Sequence, residues 1–292
     1  MRFYMDYNAS APINNNALEL MIEVYKYIGN PSSIHTSGRK VRTFLEDARE
    51  KIGIILDNNS QNIIFTSGAT EANALAFKLS HKPSVIMSAI EHPSVLNQSK
   101  DADLIKVLEN GIICLEDLEK ILQKQKDVDK LVSVMAVNNE TGIIQPLKEV
   151  SRICKKYSAL LHVDAVQAFG RIPITMSKLE IDLLAISSHK IGGPKGAGCL
   201  LYSDRIKNKL IPLIKGGGQE KGLRAGTEAV AQIAGFGKAA ELIKDVKFNE
   251  IEFSRDLLEQ SIKNNIKGVE IIGENSPRVS NTSLLSFKGL SA

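Results

Sequence analysis

Lys190 stands at the end of an apolar run, Leu183-Leu184-Ala185-Ile186-Ser187-Ser188-His189-Lys190, and Gly192-Gly193-Pro194 follows it. A lysine placed where a strand ends can project into a cleft. If its ammonium is desolvated there, its pKa falls and it becomes an imine-forming nucleophile. Alone, such a lysine reads as a solvated surface residue, so the weight falls on its neighbours. Asp164, in His162-Val163-Asp164-Ala165-Val166-Gln167, follows a second apolar run. A carboxylate at a strand's C-terminal end lies where α/β sheets put their ligands. Facing a pyridine nitrogen, it would keep that nitrogen protonated and make the ring an electron sink. The plainer alternatives are a loop aspartate or a helix cap.

Three further segments offer donors. Ser67-Gly68-Ala69-Thr70-Glu71 lies between a strand and a helix. It reads either as an anion site, with Thr70 adding a hydroxyl, or as an ordinary N-cap. Ala136-Val137-Asn138-Asn139-Glu140-Thr141-Gly142 reads as a source of amide groups or as a turn. His92, in Glu91-His92-Pro93, could stack on an aromatic ring or be a plain loop histidine. His162 and Asp164 find no third ligand at metal-binding spacing. Gly192-Gly193-Pro194-Lys195-Gly196 is not a P-loop, and Lys221 breaks a G-x-G-x-x-G pattern after Gly216. The stretch from Gly216 through Arg224-Ala225-Gly226-Thr227 reads as a polar, flexible approach to a helix that could add a phosphate donor.

The elements that must position these residues alternate. Val41, Phe44, Leu45, Ala48, Ile52, Ile55 and Leu56 predict an amphipathic helix over 37–57 with Ser37 as N-cap. Helices are also predicted around Leu115–Leu122, after Pro146, from Ala229, and over Ile251–Ile262. Strands are predicted at Asn62–Thr66, Val85–Met87, Leu131–Val137, Leu160–Val163, Leu183–Ile186, Cys199–Tyr202, Val269–Ile272 and Leu284–Phe287. The strands are short and continuously apolar, which predicts an α/β fold with a mostly parallel sheet covered on both faces.

Length and charge set the outer bounds. The chain's 292 residues, 43% hydrophobic, allow one large core with a smaller domain attached. The net charge of +4 is interspersed and forms no nucleic-acid or membrane patch, and no apolar stretch approaches a membrane span. Cys114, Cys154 and Cys199 are widely spaced and odd in number, so no disulfide framework is expected, and a cytoplasmic setting is.

Taken together, these segments resemble the cysteine desulfurases of the NifS/IscS type, class V members of the pyridoxal-phosphate fold type I enzymes. The resemblance runs from Tyr4-Met5-Asp6-Tyr7-Asn8-Ala9 to about Thr227 and is weaker beyond. It includes Asn30-Pro31-Ser32-Ser33-Ile34-His35, Gly68-Ala69-Thr70-Glu71, Glu91-His92, Asn138-Asn139-Glu140-Thr141-Gly142, Asp164-Ala165-Val166-Gln167, Ser187-Ser188-His189-Lys190, Gly216-Gly217-Gly218-Gln219-Glu220 and Arg224-Ala225-Gly226-Thr227.

The resemblance implies an aspartate-aminotransferase-like large domain over 15–240, with a seven-stranded-type sheet. A small α+β domain would combine 1–14 with 241–292. Pyridoxal 5′-phosphate is the implied cofactor, and no metal is. Lys190 would hold the cofactor as a Schiff base and shuttle the substrate α-proton. Asp164 would pair with the ring nitrogen, Gln167 with the ring hydroxyl, and His92 would stack on the ring. Ala69, Thr70, Ser187 and His189 would hold the phosphate, and Asn139 would lie near the substrate. Thr227 would reach the phosphate of a neighbouring subunit, which implies a homodimer. L-cysteine would be converted to alanine, its sulfur passing to an acceptor or scaffold protein for iron–sulfur cluster assembly or tRNA thiolation.

One departure bears on this expectation. The family's persulfide-forming cysteine and carboxylate-binding arginines lie in a C-terminal region that this sequence does not reach, and its three cysteines read as structural thiols. The small domain is therefore expected to be incomplete and to expose apolar surface. An inactive cofactor-binding paralogue or dimerisation partner, a selenocysteine lyase and a class V aminotransferase stand as alternatives.

Overall fold

The computed structural model describes residues 3–125 and 128–290. Its centre is a seven-stranded sheet made of β1 (Ile63–Thr66), β2 (Ser84–Ser88), β3 (Asp103–Ile105), β4 (Lys130–Ser133), β5 (Leu160–Asp164), β6 (Leu183–Ser187) and β7 (Gly198–Tyr202). The order across the sheet is β1-β7-β6-β5-β4-β2-β3. Only β7 runs against its neighbours, and every other adjacent pair is parallel. Six strands therefore point the same way and end on one edge.

The apolar runs are explained by cover on both faces. Along each strand successive side chains enter opposite cores. Phe65, Val163, Ile186 and Leu201 join one cluster. Ile64, Leu160, Ala185 and Leu200 join the other. The first face is covered by α1 (Asn15–Tyr25), α2 (Thr36–Leu56) and α7 (Val230–Glu241). The second is covered by α3 (Ala69–Ala76), through Ala72, Leu75 and Ala76. The short α4 (Pro93–Leu96) packs beside α3, and α5 (Leu115–Lys124) and α6 (Leu147–Lys156) add to the cover of the first face through Leu118, Leu122, Val150 and Cys154. Pro146 sits at the N-cap of α6, where its missing N–H removes no helix bond.

Several boundaries differ from the sequence expectation for local reasons. The N-cap of α2 is His35, not Ser37: the His35 Nδ1 accepts from the Gly38 N–H at 3.3 Å. The helix closes on Asp57 in the left-handed region, φ 52°. The expected strand through Val137 ends at Ser133 as a regular element. Its chain still follows β5, with Val134 and Ala136 N–H donating to His162 and Asp164 carbonyls, until Gln145 returns to pair with Ala136. The helix α1 and the edge strand β3 had no counterpart in the sequence reading.

Gly237 of α7 packs against Ala48 of α2: a Cβ there would lie 2.6 Å from both the Cα and Cβ of Ala48. Gly237→Ala is therefore expected to destabilise the protein by about 1–3 kcal/mol through overpacking, despite alanine's better helix propensity. Urea unfolding of the two proteins checks this.

Beyond the sheet, α8 (Phe248–Asn265) lies beside an antiparallel pair, β8 (Val269–Ile271) and β9 (Leu285–Phe287). Apolar surface is exposed here: Phe253 is 70% and Leu257 57% exposed. The buried Glu259 of α8 is held by a two-pronged contact from Arg278, at 2.8 and 3.0 Å. No helix among the described residues is long and apolar enough to cross a membrane.

Candidate active site

Five of the six co-directional strands deliver a polar segment to the same edge, where ligands of open α/β sheets bind. After β1 comes the N-terminus of α3, and after β2 come Glu91 and His92. The chain beyond β4 carries Met135 and Asn139, β5 ends on Asp164, and β6 ends on Ser187 and leads to Lys190. Together they enclose a cavity of about 660 Å³. Its lining includes Ala69, Thr70, His92, Asn139, Asp164, Gln167, Ser187, His189 and Lys190. Thr227 is exposed and does not line it. A larger groove, about 830 Å³, lies at the opposite edge beside Asp182 and Ser203. Its lining carries no lysine or histidine among the described residues, whereas the smaller cavity gathers His92, His189 and Lys190 and is the candidate site.

Lys190 projects from a short 3₁₀ turn, Ser188–Lys190. Its Nζ donates to the carbonyl oxygens of Asn8 and of Ala9, the latter at 2.9 Å. Partial burial lowers its pKa, and the nearby Arg171 charge adds to this, against the pull of Asp6, Asp164 and Glu140. More of this amine is neutral at physiological pH than in an exposed lysine. Burial, and the charges of Lys190 and Lys195, likewise lower the pKa of His189.

Asp164 is almost fully buried and forms no ion pair among the described residues. Its Oδ1 accepts from the Val166 N–H at 3.0 Å, and its Oδ2 from the Asn73 amide at 2.8 Å. Burial raises its pKa, while these donors and the charges of His92 and Lys190 oppose the rise. Asn73 of α3 also donates to Ser94 Oγ at 2.9 Å, and Ser94 Oγ lies 2.8 Å from His92 Nδ1. The Ser94 N–H donates to the same Nδ1 at 3.1 Å, which assigns the proton of the neutral ring to Nε2. A relay Asp164–Asn73–Ser94–His92 thus runs beneath the cavity.

Asn8 ties the N-terminal segment into the site. Its amide nitrogen donates to the Asn139 carbonyl at 3.1 Å and to Thr282 Oγ1 at 2.9 Å. Its carbonyl accepts from Gln167 Nε2 at 2.9 Å. The Gln167 Oε1 is engaged by Arg171. Both ends of the Gln167 amide are therefore occupied, and contact with a ring hydroxyl requires one of these bonds to exchange. Asn8, Asn73, Ser94 and Arg171 were not singled out as site residues from sequence. Only Asn8 carried a signal, as part of the N-terminal motif.

The approach from Gly216 to Thr227 is anchored, contrary to the flexible reading. Glu220 is buried and paired with Arg49 at 2.6 and 2.9 Å, and it accepts from the Phe65 N–H at 2.8 Å. Arg224 pairs with Glu71 in the first turn of α3 at 2.8 Å.

The cavity fits pyridoxal phosphate on two counts. The N-terminus of α3 has no side-chain cap, and a Cβ on Gly68 would meet nothing within 4 Å, so backbone donors stand bare over space for a phosphate. Asp164 is a buried carboxyl that forms no ion pair among the described residues, matching a protonated ring nitrogen. The cysteines do not join the site: none lines the cavity among the described residues. Burial pushes the Cys154 thiol up to about 12 and raises that of Cys199. No cluster of three metal-ligating side chains occurs among the described residues.

Residues 3–291 match the family model described as aminotransferase class-V. The chain is 41% identical over 301 residues to "Cysteine desulfurase IscS" of Dictyoglomus turgidum, covering 97% of this chain and 75% of that protein. It is 44% identical over 256 residues to "Cysteine desulfurase, mitochondrial" of Candida maltosa, covering 82% of this chain and 52% of the other. It thus spans about half the length of that mitochondrial relative. The structure of a NifS-like protein from Rickettsia africae superposes with a TM-score of 0.95 at 38% identity, covering 100% of this chain and 83% of that one. The fold is that of the NifS-like type I pyridoxal-phosphate proteins, and the relatives' family is dependent on that cofactor. The chain belongs to the class V aminotransferase family, among its IscS- and NifS-type members.

Proposed function

We propose that this chain binds pyridoxal phosphate and takes part in removing sulfur from L-cysteine to leave L-alanine. The observation that carries the reading is the cavity in which Lys190, the buried Asp164 and the bare N-terminus of α3 converge. Bound there, the cofactor supplies an electron sink for charge left at a substrate α-carbon. Lys190 Nζ holds the cofactor covalently and then takes and returns the proton at Cα. Asp164 keeps the ring nitrogen protonated. His92, oriented through Ser94 and Asn73, presents its ring face to the cofactor, and Asn139 faces the substrate side. Ala69, Thr70, Ser187 and His189 hold the phosphate, and Gln167 meets the ring hydroxyl after releasing Asn8 or Arg171. Sulfur leaves when a thiolate attacks it: an S–S bond forms, the C–S bond breaks, and Cβ gains a proton.

Within this reading the chain pairs with a second copy, with Thr227 reaching the partner's phosphate site. It hands sulfur to an acceptor or scaffold protein in the cytoplasm, for iron–sulfur cluster assembly or tRNA thiolation. A second reading is favoured by the thiols: no described cysteine lines the cavity, so the chain could bind the cofactor without itself carrying sulfur.

The test is to load the chain with pyridoxal phosphate, add L-cysteine and dithiothreitol, and quantify sulfide and alanine. Equal amounts of both are expected. Cofactor bound without sulfur release selects the second reading, and no cofactor binding sinks both.

A further inference from the structure

Glu91 is the most deeply buried acid near the cavity that the chemistry above does not use. Its side chain is almost wholly enclosed. One oxygen, Oε1, lies 2.5 Å from Ser88 Oγ at the end of β2 and 2.5 Å from the N–H of Met135 beyond β4. The other, Oε2, has no hydrogen-bond partner among the described residues. No lysine or arginine pairs with it among the described residues, and the titratable side chain whose charge bears on it is Asp164, at the end of β5. Next along its own turn is His92, whose ring roofs the cavity together with Met135. The same turn is tied a second time by Asn138, whose amide donates to the Ile90 carbonyl at 3.3 Å.

We propose that Glu91 is a positioning residue that works as the neutral carboxylic acid. It locks the turn bearing His92 to the strand end bearing Met135, and it leaves Asp164 as the ionised member of the two buried carboxyls. The inference rests on the cofactor reading above for the roles of His92 and Asp164, but not for the protonation of Glu91.

The two acids are separated by their surroundings. Asp164 receives two donors and the favourable charges of His92 and Lys190. Glu91 receives donors on one oxygen only and no cation, and a buried anion of that kind is costly. Burial first, and then the Asp164 charge, push its pKa up to about 8 against the Ser88 and Met135 donors. Burial raises both carboxyls, but positive charge opposes the rise only at Asp164, and carboxyls in different surroundings take different roles: Asp164 answers a positive ring nitrogen, and Glu91 acts as a strut.

The sign of the pH effect follows. Between the ordinary glutamate pKa and about 8, the folded chain keeps a proton on Glu91 that the unfolded chain has lost. Glu91 therefore lowers folded-state stability as pH rises through that window, by up to about tenfold in the folding constant per pH unit. The amide of Glu91→Gln can accept as Oε1 does and never ionises.

The experiment compares the wild-type chain with Glu91→Gln and Glu91→Ala. Urea unfolding of the cofactor-free chains is followed from pH 5 to 9, and affinity for pyridoxal phosphate is measured at pH 7. Relative to Glu91→Gln, the wild type is expected to lose folding constant steadily up to about pH 8. Glu91→Gln should bind the cofactor within about twofold of wild type, and Glu91→Ala about tenfold or more weakly. Parallel unfolding curves for wild type and Glu91→Gln overturn the proposal, as does a glutamine variant that binds as poorly as the alanine one. If wild type itself binds no cofactor, the functional reading fails while the unfolding curves still decide the state of Glu91.

Discussion

Lys190→Ala is expected to abolish the visible absorbance of bound pyridoxal phosphate and to lower sulfur release from L-cysteine by at least about 10³-fold, combining the lost covalent hold with a positioned acid–base group. The amine is set for this role by its surroundings. Its Nζ rests on the Asn8 and Ala9 carbonyls, and partial burial with Arg171 nearby favours the neutral form. Covalent uptake of pyridoxal phosphate is accordingly expected to speed up with pH as that amine loses its proton, with a midpoint below that of an ordinary lysine. Lys190→Arg keeps the charge but stays protonated, so it should fail as completely as alanine. Absorbance spectra and a sulfide assay on the three proteins check both statements. A surviving band in Lys190→Ala means another lysine holds the cofactor.

Glu220→Ala is expected to be the most damaging single change to stability, costing about 3–5 kcal/mol, because it leaves a buried guanidinium without its anion. Arg49 and Glu220 have side chains only 5% and 2% exposed and meet at 2.6 Å. Each also serves the backbone of β1: Arg49 donates to the Ile63 carbonyl at 2.7 Å, and Glu220 accepts from the Phe65 N–H at 2.8 Å. The Arg49 guanidinium further lies 4.7 Å from the Phe65 ring centre. The pair thus clamps the loop after Gly216 to α2 and β1. Glu220 and Lys221 lie in the left-handed region there, at φ 46° and 59°, a conformation held by its surroundings. Replacing both partners together, Arg49→Met with Glu220→Leu, should recover much of the loss, since no unpaired charge remains. Chemical denaturation of the single and double variants measures the coupling. A double variant as unstable as Glu220→Ala would show that the Phe65 hydrogen bond, not the charge, sets the cost.

The fold was legible because its signals are local. The apolar run Leu183–Ile186 and the largely apolar Leu160–Val163 mark strands buried on both faces, and both are strands here. The segments at strand ends were legible for the same reason, since each ends a run. What could not be read is what folding brings together from a distance. Asn73 sits mid-helix in α3 and Ser94 in a single turn, and neither sequence context shows that they link Asp164 to His92. The Gly216–Glu220 stretch looked flexible because glycines dominate its composition, yet one buried glutamate anchors it through a partner 171 residues away. The edge strand β3 is exposed at Asp103 and Leu104, so it lacks the apolar run that marks the inner strands. At α2 the cap is a histidine, a residue outside the usual N-cap set.

Chemical trapping decides whether Lys190 anchors the cofactor. The chain is loaded with pyridoxal phosphate, reduced with borohydride, digested, and mapped by mass spectrometry. One phosphopyridoxyl group per chain, on the peptide containing Lys190, is the predicted result. A label on any other lysine, or no label on a folded chain, would contradict it.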